Sequence, residues 1–191
     1  MALGIWHSLK RTTTTAPHVV LWTGPPHSGK TTAIGELVER VRSAGCSVAG
    51  ILAPSIWQNG ELTGFDIVDL ARGQRTSLAG RGQVGREMTG KFAFNASGLA
   101  LGRAALTSPT AMTADLVVVD EFGPLELKGD GWRTPVDRLV ARAAGVLLLV
   151  VRSALAESVG ALYNIPTKRV IDARRVPAAI DAVLGLLAGP S

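Results

Sequence analysis

Residues 18–44 read HVVLWTGPPHSGKTTAIGELVERVRSA, and the three parts of this stretch decide the fold. HVVLWT (18–23) is short, apolar and stopped by Gly24-Pro25-Pro26, as expected of a strand buried on both faces. Beyond Lys30, the apolar residues Ile34, Leu37, Val38 and Val41 recur at i, i+3, i+4 and i+7, which predicts an amphipathic helix over 30–44 with Gly45 at its end. Between the two, Gly24-Pro25-Pro26-His27-Ser28-Gly29-Lys30-Thr31 fits G-x-x-x-x-G-K-[ST] in the strand, turn, helix context that this pattern requires. Such a turn points several backbone N–H groups into one concavity, at the end of a helix whose dipole also favours negative charge. The anion it suits is phosphate.

The stretch Gly24, Pro25, Pro26, His27, Ser28, Gly29, Lys30, Thr31 and Thr32 is therefore the candidate cradle for a nucleoside triphosphate such as ATP or GTP. Lys30 is expected to reach the β- and γ-phosphates and the Thr31 hydroxyl to take a place on Mg²⁺. Gly29 lets the backbone approach without a Cβ in the way. His27 fills a position that tolerates almost any residue and is incidental to the chemistry.

Working outward, SVAGILA (47–53) predicts the next strand, and QNG (58–60) separates SIW from ELTGFDIVDL as a hairpin turn would. KFAFNA (91–96) predicts a strand, and a helix follows from Ser97, its expected N-cap. LVVVDE (116–121) and VLLLVV (146–151) are continuous apolar runs suited to the interior of a parallel sheet. TPVDRLVARAAG (134–145) predicts a helix capped by Thr134, with Pro135 first inside and Gly145 at its end. KRVID (168–172) and PAAIDAVLGLLAG (177–189) predict a closing strand and helix. The alternation indicates an α/β fold, a mostly parallel sheet with helices on both faces and an antiparallel hairpin insertion over 55–96.

Composition bounds the rest. With 191 residues, 47% of them hydrophobic and 18% charged, the chain is long enough for one sizeable core, so one domain over 18–191 is expected after a flexible tail over 1–17. No apolar run approaches the roughly 18 residues needed to span a bilayer. Cys46 is alone, which excludes an intramolecular disulfide and fits a reducing compartment, the cytoplasm. His7, His18 and His27 have no metal-ligand spacing with it. The net charge of +5 favours polyanionic partners such as nucleotides or nucleic acid. Residues 71–91 carry Arg72, Arg75, Arg81, Arg86 and Lys91 against Glu87, either a solvated face or a lid over phosphates. Aromatic interleaving is missing there, so nucleic acid is not the expected partner.

LVVVDE ends in two carboxylates. In an open α/β sheet the ligand lies beyond the carboxyl ends of the strands, where Asp120 and Glu121 would emerge. Asp120 is the candidate Mg²⁺ acid, and Glu121 the group that orients or deprotonates an attacking water. Arg152, at the end of the next apolar strand, belongs to the same edge and is either a charge-stabilising catalytic residue or a plain surface cap.

TGPPHSGKTT, GFDIVDL (64–70), GKFAFN (90–95) and VVVDEFGPLEL (117–127) occur in an order that resembles the small nucleoside-triphosphatases, across nearly all of residues 18–186. The resemblance implies Mg²⁺-dependent hydrolysis of nucleoside triphosphates to diphosphate and phosphate, with broad base tolerance. Members typically show Asp-Glu-Ile-Gly-Lys-Met-Glu-Leu, with which Asp120, Glu121, Gly123, Glu126 and Leu127 agree; Pro124 stands in place of the Lys. QNGELTGF replaces a more basic approach to the second motif, and VIDARR replaces a Thr and Asn-Arg stretch near the end. Glu126 is open between a supporting partner of the site and a surface acid. Two other functions remain compatible with the residues. One is a small-molecule or nucleotide kinase, in which Glu121 or Asp66 serves an acceptor hydroxyl. The other is a nucleotide-binding switch of low turnover, to which the missing Lys at 124 points.

Overall fold

A computed structural model of the chain describes residues 17–26, 28–81 and 92–188. In chain order the first half comprises β1 (His18–Gly24), α1 (Lys30–Ser43), β2 (Val48–Leu52), β3 (Ser55–Gln58), β4 (Glu61–Asp69), β5 (Arg75–Gly80), β6 (Ala93–Phe94) and α2 (Ala96–Thr107). The second half comprises α3 (Pro109–Thr113), β7 (Leu116–Val119), α4 (Pro124–Leu127), α5 (Arg133–Arg142), β8 (Val146–Arg152), α6 (Ala156–Leu162), β9 (Val170–Asp172) and α7 (Val176–Ala188). The strands form one nine-stranded sheet in the order β6-β5-β4-β2-β7-β8-β1-β9, with β3 paired to β4.

β2, β7, β8, β1 and β9 run parallel, and β3 to β6 add antiparallel pairs beyond β2. The continuous apolar runs are the central parallel strands because both of their faces are covered. Val117 and Val119 of β7 join Val19 and Leu21 of β1 in a core that includes Leu106 of α2 and Leu139 of α5. Leu116, Val118, Val20 and Trp22 point the other way, among Ile34, Leu37 and Val41 of α1 and Ile180 and Val183 of α7. The period of two along a strand thus feeds two cores at once. At Gly50 the chain takes φ 104°, and a side chain there would land on the Val118 carbonyl of the neighbouring strand. Only glycine lets β2 and β7 meet at this point.

Helix starts depart from the expected residues. α2 is capped by Asn95, whose side chain accepts from the Ser97 N–H, so Ser97 lies inside the first turn. α5 is capped by Trp132 and begins at Arg133, two residues ahead of the expected Thr134 cap and Pro135 start, and stops at Arg142 before Gly145. The preceding turn is fixed by the Glu126 carboxylate, which accepts from the Trp132 N–H. The hairpin expected around Gln58–Gly60 is β3–β4; among the described residues the strand expected over 91–96 is Ala93–Phe94, and β5 is an added strand between them. β5 takes up part of the basic segment: Arg75 pairs with Asp66, Arg72 with Asp69 and Arg81 with Glu61, so these three cations belong to ion pairs of the insertion rather than to a free lid. Arg86 and Lys91, the 1–16 tail and His27 lie outside the described residues.

Candidate active site

The register of the parallel strands brings the singled-out residues to one edge. Gly24 of β1 pairs with Arg152 of β8, and Val119 of β7 pairs with Leu149, so β1, β8 and β7 end side by side. The P-loop leaves β1, the Asp120-Glu121 pair leaves β7, and Arg152 stands between them.

The connection from β1 to α1 turns on Gly29, which caps the helix at φ 78° in the left-handed region. Ser28 closes the loop by donating its hydroxyl to the Pro25 carbonyl at 2.8 Å. Pro25, Pro26, Ser28, Gly29 and Thr32 are exposed at the edge, whereas Gly24 and Lys30 are buried. Lys30 folds back, its Nζ donating to the Pro25 carbonyl at 2.7 Å and to the Gly24 carbonyl at 3.3 Å. Burial lowers its pKa, opposed by the carboxylates of Glu121 and Asp120. The hydrogen bonds of this lysine go to neutral carbonyls, so a phosphate that offered full negative charge would compete well for it.

Asp120 is 1% exposed, and its carboxylate is held by three hydrogen bonds. Its Oδ2 accepts from the Thr31 hydroxyl at 3.0 Å and from the Ala53 N–H at 3.0 Å, while Oδ1 accepts from the Glu121 N–H at 3.0 Å. Burial, reinforced by the neighbouring Glu121, pushes its pKa up to about 7. Its three hydrogen-bond donors are all neutral, the situation a divalent cation relieves. Thr31 and Asp120 are hard oxygen donors and only two in number, which suits a Mg²⁺ ion that keeps water and substrate oxygens in its shell. Among the described residues no group of three or more His, Cys, Asp or Glu side chains is placed to hold a metal.

Glu121 sits at φ 57°, an uncommon backbone state for a residue with a side chain. The turn aims its carboxylate along the edge, where the Arg152 guanidinium lies 3.7 Å away. Phe122 then donates its N–H to the Val150 carbonyl at 3.1 Å and buries its ring 5.9 Å from that of Tyr163, so the loop is stitched across β8.

Two parts of the site were not assigned from sequence. The Ala53 amide has no sequence signal, because its role comes from where β2 ends. Glu126 had one, an acid three residues after Gly123 at the start of a helix, which is half of a capping box. It is 3% exposed, and its Oε2 accepts from the Gly123 N–H at 2.8 Å and its Oε1 from the Trp132 N–H at 3.0 Å. The surface-acid alternative is thereby removed. Pro124, where the resembling family has Lys, opens α4 and is exposed.

A five-strand parallel array with β8 inserted between the P-loop strand and the acidic strand, helices on both faces, and a phosphate-cradle turn at its carboxyl edge defines a P-loop nucleoside-triphosphate protein of the α/β class. A family model described as NTPase matches residues 19–173. The nucleoside-triphosphatase THEP1 of Methanothermobacter thermautotrophicus is 32% identical over 136 residues, 71% of this chain and 78% of that protein. Its counterpart from Methanopyrus kandleri is 39% identical over 125 residues, 64% and 67% of the two chains. The fold is shared with the solution structure of a human cancer-related nucleoside triphosphatase, at TM-score 0.67 and 24% identity over 92% of this chain and all 100% of that one. It is shared as well with the crystal structure of THEP1 from Aquifex aeolicus, at TM-score 0.67 and 18% identity over 88% and 98%. The chain belongs to this nucleoside-triphosphatase family and is a nucleoside-triphosphatase.

Proposed function

We propose that the chain hydrolyses ATP, GTP and other nucleoside triphosphates to the diphosphate and phosphate with Mg²⁺, in a single domain over 18–191. The observation that carries the reading is the contact of the Thr31 hydroxyl with Asp120, facing Lys30 across the strand edge, with Glu121 and Arg152 paired beside it. The triphosphate lies at the N-terminus of α1, and Lys30 exchanges the Pro25 carbonyl for phosphate oxygens. Thr31 and Asp120 would hold Mg²⁺, which when bound neutralises charge on the β- and γ-phosphates. Glu121 receives the proton of the attacking water, a role worth about a hundred-fold to ten-thousand-fold in rate. Arg152 holds that carboxylate in place and supplies the positive charge that Pro124 does not. The lone Cys46 favours a reducing compartment, the cytoplasm; no described helix is long and apolar enough to cross a membrane.

Phosphate release from ATP, GTP, CTP and UTP with Mg²⁺ tests these roles. Lys30→Ala is expected to lose nucleotide binding, and Glu121→Gln to keep binding while turnover falls at least about a hundred-fold. Equal activity in wild type and both variants refutes the assignment.

A further inference from the structure

Beside the strand edge lies a cavity of about 170 Å³ that water attack does not require, since about 10–15 Å³ on the same measure holds one water. Its walls are Phe65 of β4, Leu78 of β5, Phe94 of β6, Leu99 of α2 and Trp132 ahead of α5. The charged residues that line it are Glu121, Glu126, Lys128 and Arg152. Both Glu126 oxygens are engaged by backbone N–H groups, and Lys128 is solvent-exposed. Glu121 and Arg152, the ion pair at the end of β8, together with the exposed Lys128, are the charged groups of the chamber left open to a ligand.

We propose that this cavity binds a neutral single-ring alcohol, and that the alcohol receives the γ-phosphoryl group in place of water. Size sets the ring: a dry apolar cavity of about 150 Å³ accommodates benzene, so this one takes a six-membered ring with a short arm. Three aromatic walls offer the edge and face contacts a ring prefers. Charge sets the arm. A charged arm would meet one attractive and one repulsive partner, with no net gain to offset its desolvation, whereas a hydroxyl donates to the carboxylate and accepts from the guanidinium. In the step itself the alcohol oxygen forms a bond to the γ-phosphorus. The bond from that phosphorus to the bridging oxygen breaks, its electron pair leaves with the nucleoside diphosphate, and the hydroxyl proton passes to Glu121.

The inference rests on the nucleotide and Glu121 assignments above, and the test separates the two. Wild-type protein is incubated with Mg²⁺, ATP and increasing benzyl alcohol, and ADP, inorganic phosphate and benzyl phosphate are followed by phosphorus NMR. The expected result is benzyl phosphate whose share of product saturates with alcohol, is suppressed by toluene and is not reproduced by ethanol. Leu99→Trp, which fills the chamber, lowers the ratio of ester to inorganic phosphate by at least about ten-fold, the effect of about 1.4 kcal/mol of lost ring binding. Phe94→Ala, which removes a wall, lowers the same ratio if the first variant does not fold. ADP accompanied by inorganic phosphate alone at every alcohol concentration overturns the inference and leaves hydrolysis standing. So does a ratio that both folded variants leave unchanged. Absence of ADP in every sample refutes the hydrolysis mechanism, and the inference falls with it.

Discussion

Replacing Glu126 by Ala tests whether a buried carboxylate holds the catalytic loop in shape. In the native protein its two oxygens satisfy the N–H groups of Gly123 and Trp132, at 2.8 and 3.0 Å, with 3% of the residue exposed. Alanine leaves both donors without a partner, at about 1–3 kcal/mol each. Part of that is returned, because burial of the carboxyl is itself unfavourable and raises its pKa. The net expectation is a loss of about 2–4 kcal/mol. Glu126→Gln keeps the volume and one acceptor oxygen, so it loses about half as much, with the amide NH₂ facing one of the two donors. Urea unfolding at neutral pH measures both. An Ala variant whose midpoint and slope match wild type would show that the loop closes without the carboxylate. A Gln variant as damaged as Ala would show that charge, rather than acceptor count, does the holding.

Gly50→Ala drives a methyl onto the Val118 carbonyl at a backbone angle of 104°, so a loss above about 3 kcal/mol is expected, read by circular dichroism and soluble yield; a folded variant with wild-type stability contradicts the strand register. Asp120, with a folded pKa of about 7 above an ordinary value of 3.8, keeps in the native state a proton that the unfolded chain releases. Stability of the nucleotide-free protein relative to Asp120→Asn should therefore be greatest near pH 4 and decline through pH 7, by up to about 4 kcal/mol, and Mg²⁺ with nucleotide should flatten the decline. A pH-independent difference in unfolding free energy defeats that account. Arg152→Ala breaks a pair whose side chains are 44% and 33% exposed, so stability should change by less than about 1 kcal/mol. Its turnover should still fall about a hundred-fold with little change in KM, and an unaltered kcat would return Arg152 to a surface cap.

What was legible in the chain was whatever depends on local pattern. Continuous apolar runs such as LVVV and VLLLVV name their own environment, and the turn from Gly24 to Thr31 carries its chemistry in its spacing. From these the parallel sheet, its two helical layers and the edge shared by Asp120 and Arg152 all follow. Misreadings fell where a neighbour distant in sequence decides. Asn95 rather than Ser97 caps α2 because β6 ends at Phe94, and the Asn95 N–H is held by the Leu78 carbonyl of β5. Trp132 rather than Thr134 precedes α5 because its N–H is taken by Glu126, six residues back. A capping residue type is only a preference, and a fixed backbone hydrogen bond overrides it. Basic density in 71–91 left a solvated face and a lid both open for the same reason, since the acids that pair with Arg72, Arg75 and Arg81 lie on β4.

Glu126 joins two features that would otherwise be independent. One of its oxygens holds Gly123, two residues after Glu121, and the other holds Trp132, a wall of the apolar cavity. Any movement of that tie shifts Glu121 and the cavity together, because the single turn of α4 follows Glu121 by three residues and lines the cavity. Substitution at Leu99 reaches the cavity from α2 and the core beneath it, without touching the Glu126 tie. The two perturbations should therefore differ in kind: Glu126→Gln lowers water attack and alcohol attack in parallel, keeping their ratio within about two-fold, while Leu99→Trp changes the ratio. A ratio that moved as far in Glu126→Gln as in Leu99→Trp would mean that the tie serves the cavity and not the base. The carboxylate at 121 would then owe its position to Arg152 and to its own strained backbone instead.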